Sequence, residues 1–481
     1  MLFNSLHFLL FFPVVTAAYF ILPHKFRWFL LLMASCYFYM VFKPIYILIL
    51  GFTIVVDYFA GILIENAAGR RRKMFLVMSL VANIGVLAIF KYYNFLNHNL
   101  TEFLGIAEVE NPIPFLKILL PIGLSFHTFQ AMSYTIEVFR GKQKAERHFG
   151  IYSLYVMFYP QLVAGPIERP QNLLHQFREK HSFDYERVTD GLKQMAWGMF
   201  KKVVIADRLA LVVNQVYNSP HDYTGLPLIT ATVFFAIQIY CDFSGYSDIA
   251  LGSAKVMGFK LMTNFERPYF ARSIAEFWKR WHISLSTWFR DYLYISLGGN
   301  RVSIPRWYFN LFIVFVISGL WHGADWCFVI WGALHGAYLI IALVRDKIFP
   351  RLKLPGLVDM IITFILADIA WIFFRTGSIP DISSAQRLDN AWYILSHLFS
   401  GINLSQITFA VEGFDHWEWT ASALLIVFLI SFEWLQEKKG SVIQLLKPKP
   451  FIVRYLAYEA VLISILLLGK FTSNQFIYFQ F

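Results

Sequence analysis

Charge is scarce in this chain. Asp, Glu, Lys and Arg make up 15% of its 481 residues, against about 25% in average soluble domains. Cysteine is scarcer, with only Cys36, Cys241 and Cys327. That excludes a disulfide scaffold, and no pair has the spacing of a metal site. All three lie in apolar runs and read as small buried hydrophobes. There is no Walker loop, no GxGxxG and no HExxH, no internal repeat and no low-complexity linker. The apolar runs are continuous, without the apolar–polar alternation of outer-membrane barrel strands. What is plentiful is apolar: 57% of residues are hydrophobic and 19% aromatic, including 50 Phe. A water-soluble fold of this size cannot hide that surface. Disorder, collagen and coiled coil fail on the same numbers, which leaves an all-α polytopic membrane protein.

A spanning helix needs about 17–25 mostly apolar residues. Segments of that kind fall near 7–22, 28–42, 45–64, 74–90, 114–136, 324–344, 356–374, 418–434 and 455–470. Those at 149–164, 226–241 and 308–320 are short or interrupted. The first two of these sit among eight Lys or Arg in 165–225 and nine in 254–306. Either they span as a pair or they dip in and return. The expected architecture is one membrane domain over 1–481, with about 10–12 membrane segments counting re-entrant central ones. The first segment lacks a basic n-region and a small-residue cleavage site, and reads as a retained span.

The net charge of +11 raises nucleic acid as a partner, but no basic patch stands outside a membrane-topology pattern. Arg70–Lys73 form one basic cluster and Arg140, Lys142, Lys144 and Arg147 a second. Arg345, Lys347, Arg351 and Lys353 form a third, and Lys438, Lys439, Lys447 and Lys449 a fourth. The positive-inside rule puts all four in the cytoplasm. The acidic loops 97–112 and 376–417 then lie outside, and so do both termini.

Polar groups inside apolar sequence mark function in a membrane protein. One stretch runs from Pro121 through His127 and Gln130 to Glu137 and Arg140. A second runs from Gln238 through Asp242 and Asp248 to Asn264 and Arg267, then Trp278-Lys279-Arg280-Trp281-His282-Ile-Ser284. The third is Ser318-Gly-Leu-Trp321-His322-Gly323-Ala-Asp325-Trp326, with His335 beyond it. The run 307–344 is long enough for two spans, with its break expected at Ser318–Gly323 and His322 in the break. Gly319 and Gly323 bracket that histidine, Trp321 and Trp326 wall it, and Asp325 follows. A neutral imidazole is the natural general base near pH 7. His282 follows a basic-aromatic run that also reads as an interfacial helix. Lys279 and Arg280 there suit phosphates of an acyl carrier. His127 and His335 read as core histidines. Asp242 and Asp248 read as structural partners around a break at Gly245. Broken helices and polar midplane residues also fit a transporter, but no repeated halves are present.

The strings GPIERP (165–170), FSGYSDIALG (243–252), NFERPYFARSIAEFWKRWHISLSTWFRDYLYISLGGN (264–300) and SGLWHGADW (318–326) resemble the membrane-bound O-acyltransferases. The resemblance is greatest to the bacterial alginate O-acetylation group, with teichoic acid D-alanyl transfer as the nearest alternative. It implies a multi-helix fold with a thin centre reached from both faces. It also implies His322 as the catalytic residue and His282 as its partner position. Lys279, Arg280 and Arg267 would bind the donor, and Trp321, Asp325, Trp278, Ser284 and Asn264 would line the pocket. No metal and no permanently bound cofactor is implied; the cosubstrate is an acyl thioester, acetyl-CoA or an acyl carrier. The implied setting is the bacterial cytoplasmic (inner) membrane. The implied partners are the lipid bilayer, an exported polysaccharide acceptor and an SGNH-type periplasmic or extracellular protein.

Overall fold

The computed structural model describes all residues except 117–119, 350–353, 441–444, 472–475 and 478–481. Arg351 and Lys353 of the third basic cluster therefore lie outside the described residues, as does part of the 114–136 segment. Among the described residues the regular structure is helical, and the chain divides into two compact units. One comprises Met1–Met195 with Ile249–Met262, the other Ala196–Asp248 with Thr263–Phe481.

The first unit begins with α1 (Leu6–Ile21), α2 (His24–Met40), α3 (Ile47–Asn66), α4 (Gly69–Leu87) and α5 (Tyr93–Ile106). It continues with α6 (Leu124–Phe139), α7 (Phe149–Met157), the single turn α8 (Pro170–Leu173) and α9 (Tyr185–Met199), whose residues 196–199 belong to the second unit. A π-helical turn at Ala88–Tyr92 joins α4 to α5 in one 38-residue apolar run. Helices α3, α4 and α6 meet around Asp57. Its carboxylate accepts from Ser79 Oγ at 2.6 Å and from Asn83 Nδ2 at 2.9 and 3.0 Å, and Ser79 also donates to Thr135 Oγ1 at 3.0 Å. Such polar glue joins helices where lipid offers no hydrophobic drive between them.

Two expected spans are shorter in the structure. Among the described residues, the 114–136 segment is helical from Leu124, where Gly123 at φ +76° turns the chain immediately before the helix. The 149–164 segment is a nine-residue helix, α7, followed by buried turns through Gly165. Side chains satisfy that irregular backbone: Tyr159 N donates to Ser35 Oγ at 3.0 Å, and Gln161 Nε2 donates to Tyr155 O at 2.9 Å. Non-helical chain at such depth is tolerated only inside protein.

The second unit holds α10 (Asp207–Asn218) and most of α11 (Leu226–Met257), whose residues 249–257 belong to the first unit. It then holds α12 (Ile274–Arg280), α13 (Ile283–Trp288), α14 (Ile304–His322), α15 (Trp326–Ile348) and α16 (Gly356–Gly377). Helices α17 (Ser384–His397), α18 (His416–Lys439) and α19 (Phe451–Leu468) complete it. The 226–241 segment is thus the start of an unbroken 32-residue helix. Gly245 does not break it. A Cβ there would meet Gly198 O at 2.7 Å, so the glycine lets α11 lie against the end of α9. The break expected at Ser318–Gly323 moves likewise: α14 runs through His322, and the chain turns only at 323–325. Gly319 stays helical because α15 lies against it; a Cβ would sit 2.1 Å from Phe328 O. Among the described residues eight helical runs are long and apolar enough to cross a membrane, and α1 is a shorter apolar helix.

Candidate active site

The candidate catalytic, donor-binding and pocket residues all fall in the second unit, whereas the polar stretch from Pro121 to Arg140 falls in the first. Two short polar helices, α12 and α13, carry His282 at their junction. Asn264 braces that junction. Its carbonyl accepts from Ile283 N at 3.0 Å, and its Oδ1 accepts from Ser284 Oγ at 2.6 Å and Ser284 N at 3.3 Å. Glu266 N donates to Arg280 O at 2.9 Å, closing the same bend. Within it His282 adopts φ +43°, ψ +54°, and Arg267 also has a positive φ of +48°. Left-handed backbone is uncommon for a non-glycine residue and costs conformational energy. Here the hydrogen bonds across the bend hold it.

His282 is fully buried and His322 is 2% exposed. Their ring centroids lie 6.4 Å apart. Trp321 and Trp331 each stand edge-on to His322 at 4.9 Å, and Phe374 does so at 5.4 Å. Phe243 meets His282 at 4.7 Å. Burial in this cage pushes the His282 imidazole down to about 3, so it is neutral at ordinary pH. Phe476 stacks on Tyr246 at 4.7 Å and meets Phe243 at 5.6 Å, while Ile477 N donates to Asp242 Oδ2 at 2.8 Å. Phe476 therefore sits one aromatic ring, Phe243, away from His282.

The other predicted residues fall at different distances from the pair. Trp278 packs on Trp331 and donates its indole N–H to His335 Nδ1 at 3.3 Å, reaching His322 only through Trp331. Both carboxylate oxygens of Asp325 are occupied: Oδ1 caps α15 at Cys327 N (2.8 Å), and Oδ2 accepts from Ser384 Oγ (2.7 Å) and Arg387 Nη1 (3.0 Å). It anchors α17 to the turn after His322. Lys279 is exposed, whereas Arg280 and Arg267 are half-buried and both bound to Glu437 of α18. Asp242 and Asp248 pair with Lys202 (2.6 Å) and Lys201 (2.7 Å) on a π-helical turn, Phe200–Ala206. Cys241 and Cys327 are buried, and Cys36 is half-buried.

The sequence reading did not single out Phe243, Trp331, Phe374, Lys201, Lys202 or Glu437. Nothing in local sequence ties Phe374 or Trp331 to His322. Glu437 carried a faint signal as the one acid directly before the basic pair Lys438-Lys439.

Helices of membrane-crossing length, with two histidines buried in one aromatic cage, describe a polytopic membrane protein with a candidate reaction centre. The sequence model of MBOAT, the membrane-bound O-acyltransferase family, matches residues 126–378. The chain is 40% identical over 405 residues to a Pseudomonas aeruginosa protein named "Probable alginate O-acetylase AlgI", covering 83% of this chain and 75% of that one. A Helicobacter pylori peptidoglycan O-acetyltransferase is 33% identical over 447 residues, 85% of this chain and 82% of that one. A Streptococcus thermophilus teichoic acid D-alanyltransferase is 29% identical over 253 residues, 47% of this chain and 58% of that one. The chain belongs to the membrane-bound O-acyltransferase family and is a membrane O-acyltransferase.

Proposed function

We propose that this protein moves an acetyl group from a cytoplasmic thioester, carried on coenzyme A or an acyl carrier, to a hydroxyl on the outer side. The final acceptor is an exported polysaccharide, reached directly or through an SGNH-type partner. The observation that carries the reading is the pair His282 and His322 in one buried aromatic cage, with ring centroids 6.4 Å apart. That separation keeps the rings from binding each other and lets one reacting group touch both.

In this reading His322 accepts the hydroxyl proton as the oxygen attacks the thioester carbonyl. Neutral His282 donates an N–H to the oxygen that becomes negative, in a site without water to compete. The carbon–sulfur bond then breaks, the sulfur takes the proton back from His322, and ester and thiol leave. Lys279, Arg280 and Arg267 meet donor phosphates at the mouth, and Trp321, Trp278, Asn264 and Ser284 shape the pocket. Asp325 fixes the turn behind His322. The cytoplasmic membrane is the expected location, with the basic clusters inside and both termini outside.

D-alanyl transfer to a cell-wall polymer is the second reading, favoured by the match to the teichoic acid enzyme over 253 residues. The acetyl reading rests on longer and more identical matches. Membranes carrying the protein, supplied with either acyl donor, separate the two. Labelled acetyl entering surface glycan supports the proposal, and labelled alanine alone entering it supports the alternative.

A further inference from the structure

Two guanidiniums converge on one carboxylate in the second unit. Arg280 grips Glu437 with both ends of its fork, Nη1 to Oε2 at 3.0 Å and Nη2 to Oε1 at 2.9 Å. Arg267 Nε adds a third bond to Oε2 at 2.6 Å. A planar fork closed on two oxygens is also the geometry by which arginine takes a phosphate. Glu437 thus sets a single negative charge against two guanidiniums, in a seat whose forks also fit the oxygens of a phosphate. The seat is open to water: the side chains of Arg280, Arg267 and Glu437 keep 18%, 24% and 28% exposure. Exposed Lys279, Lys438 and Lys439 flank it in sequence and add positive charge. Glu276 Oε1 also accepts from Arg280 Nη2, at 2.7 Å, so the guanidinium keeps a partner when Glu437 lets go. Arg267 is kept at φ +48°, and that backbone belongs to the bend that presents His282.

We infer that Glu437 is a placeholder for the donor's phosphate: it occupies Arg280 and Arg267 when the site is empty and is displaced by the phosphopantetheine phosphate of the incoming thioester. The inference rests on the donor-binding role proposed above for these two arginines. It makes Glu437 a specificity residue that sets how strongly anionic a donor must be to enter. Coenzyme A and a carrier protein share the phosphopantetheine phosphate and differ in what lies beyond it.

The test is steady-state transfer in membranes holding the full chain, with acetyl-CoA in one arm and an acetylated carrier protein in the other. Glu437→Gln removes the competing charge. It is expected to lower KM for the effective donor about fivefold, the low end of coupling between two ligands, with kcat unchanged. Glu437→Asp, which retracts the charge, is expected to fall between and carries the test if the glutamine variant does not accumulate. A kcat loss in both variants with KM unmoved makes Glu437 a structural clamp and overturns the inference. Arg280→Gln tests the underlying reading separately. A KM rise there without a fall in Glu437→Gln sinks only the placeholder, whereas an unchanged KM for both donors places the phosphate elsewhere and sinks the donor site as well. The arm that responds identifies the donor.

Discussion

His282 costs the fold something that His322 does not reveal. Burial holds its imidazole near 3, while the same ring in an unfolded chain takes a proton at about 6.5. Between those values the unfolded state binds a proton that the folded state refuses. Stability from this residue is therefore full above about 6.5 and falls by about 1.4 kcal/mol per unit as pH drops toward 3. Thermal unfolding of the detergent-solubilised protein between pH 7.5 and 5 is expected to include that contribution, and His282→Asn to reduce the slope by about that amount. An equal slope in both proteins contradicts the burial argument. His322 with Trp321 stands out in the sequence because a polar group between tryptophan and glycine is conspicuous in an apolar run, and His282 stands out at the end of the basic-aromatic run Trp278–Trp281. Trp331 and Phe374 do not, since only folding distinguishes them from the many other aromatics of these helices.

At the scale of elements, the apolar runs were readable because bilayer thickness fixes their length. Two of the differences share one cause: at Gly245 and Gly319 glycine is a contact point that lets helix backbones touch, not a breaker. Gly319→Ala tests this directly, since its Cβ would collide with Phe328 O. Overpacking of that kind costs about 1–3 kcal/mol, so a lower melting temperature and weaker transfer are expected; unchanged values would mean α14 and α15 do not abut there. The cap on α15 is a second test. Asp325→Ala removes an N-cap worth about 0.5–2 kcal/mol and frees Ser384 and Arg387 of α17. Looser protection of 384–397 in hydrogen exchange is the expected readout, against no change if α17 is held otherwise.

For the whole molecule, composition points to a membrane protein, and the distribution of Lys and Arg predicts an orientation. The chain's few cysteines make that orientation measurable, because Cys241 and Cys327 are buried and Cys36 is half-buried. A cysteine placed at Glu108 is expected to react with an impermeant thiol reagent in intact cells. One at Arg71 is expected to react only after permeabilisation. The reverse pattern would invert the topology and put the thioester on the wrong side. The enzyme class was equally legible, from four strings that cover a small part of the chain. The ion pairs that seat them were not, since Arg280 with Glu437 and Lys202 with Asp242 join residues 157 and 40 positions apart.

The central claim is that His322 removes the proton from the acceptor hydroxyl. The direct measurement is transfer of labelled acetyl into surface glycan by membranes carrying His322→Ala, at matched protein levels and melting temperature. The account predicts a rate lower by about 10²–10⁴-fold, the usual worth of a general base, with donor KM little changed. Wild-type transfer by that variant would contradict it.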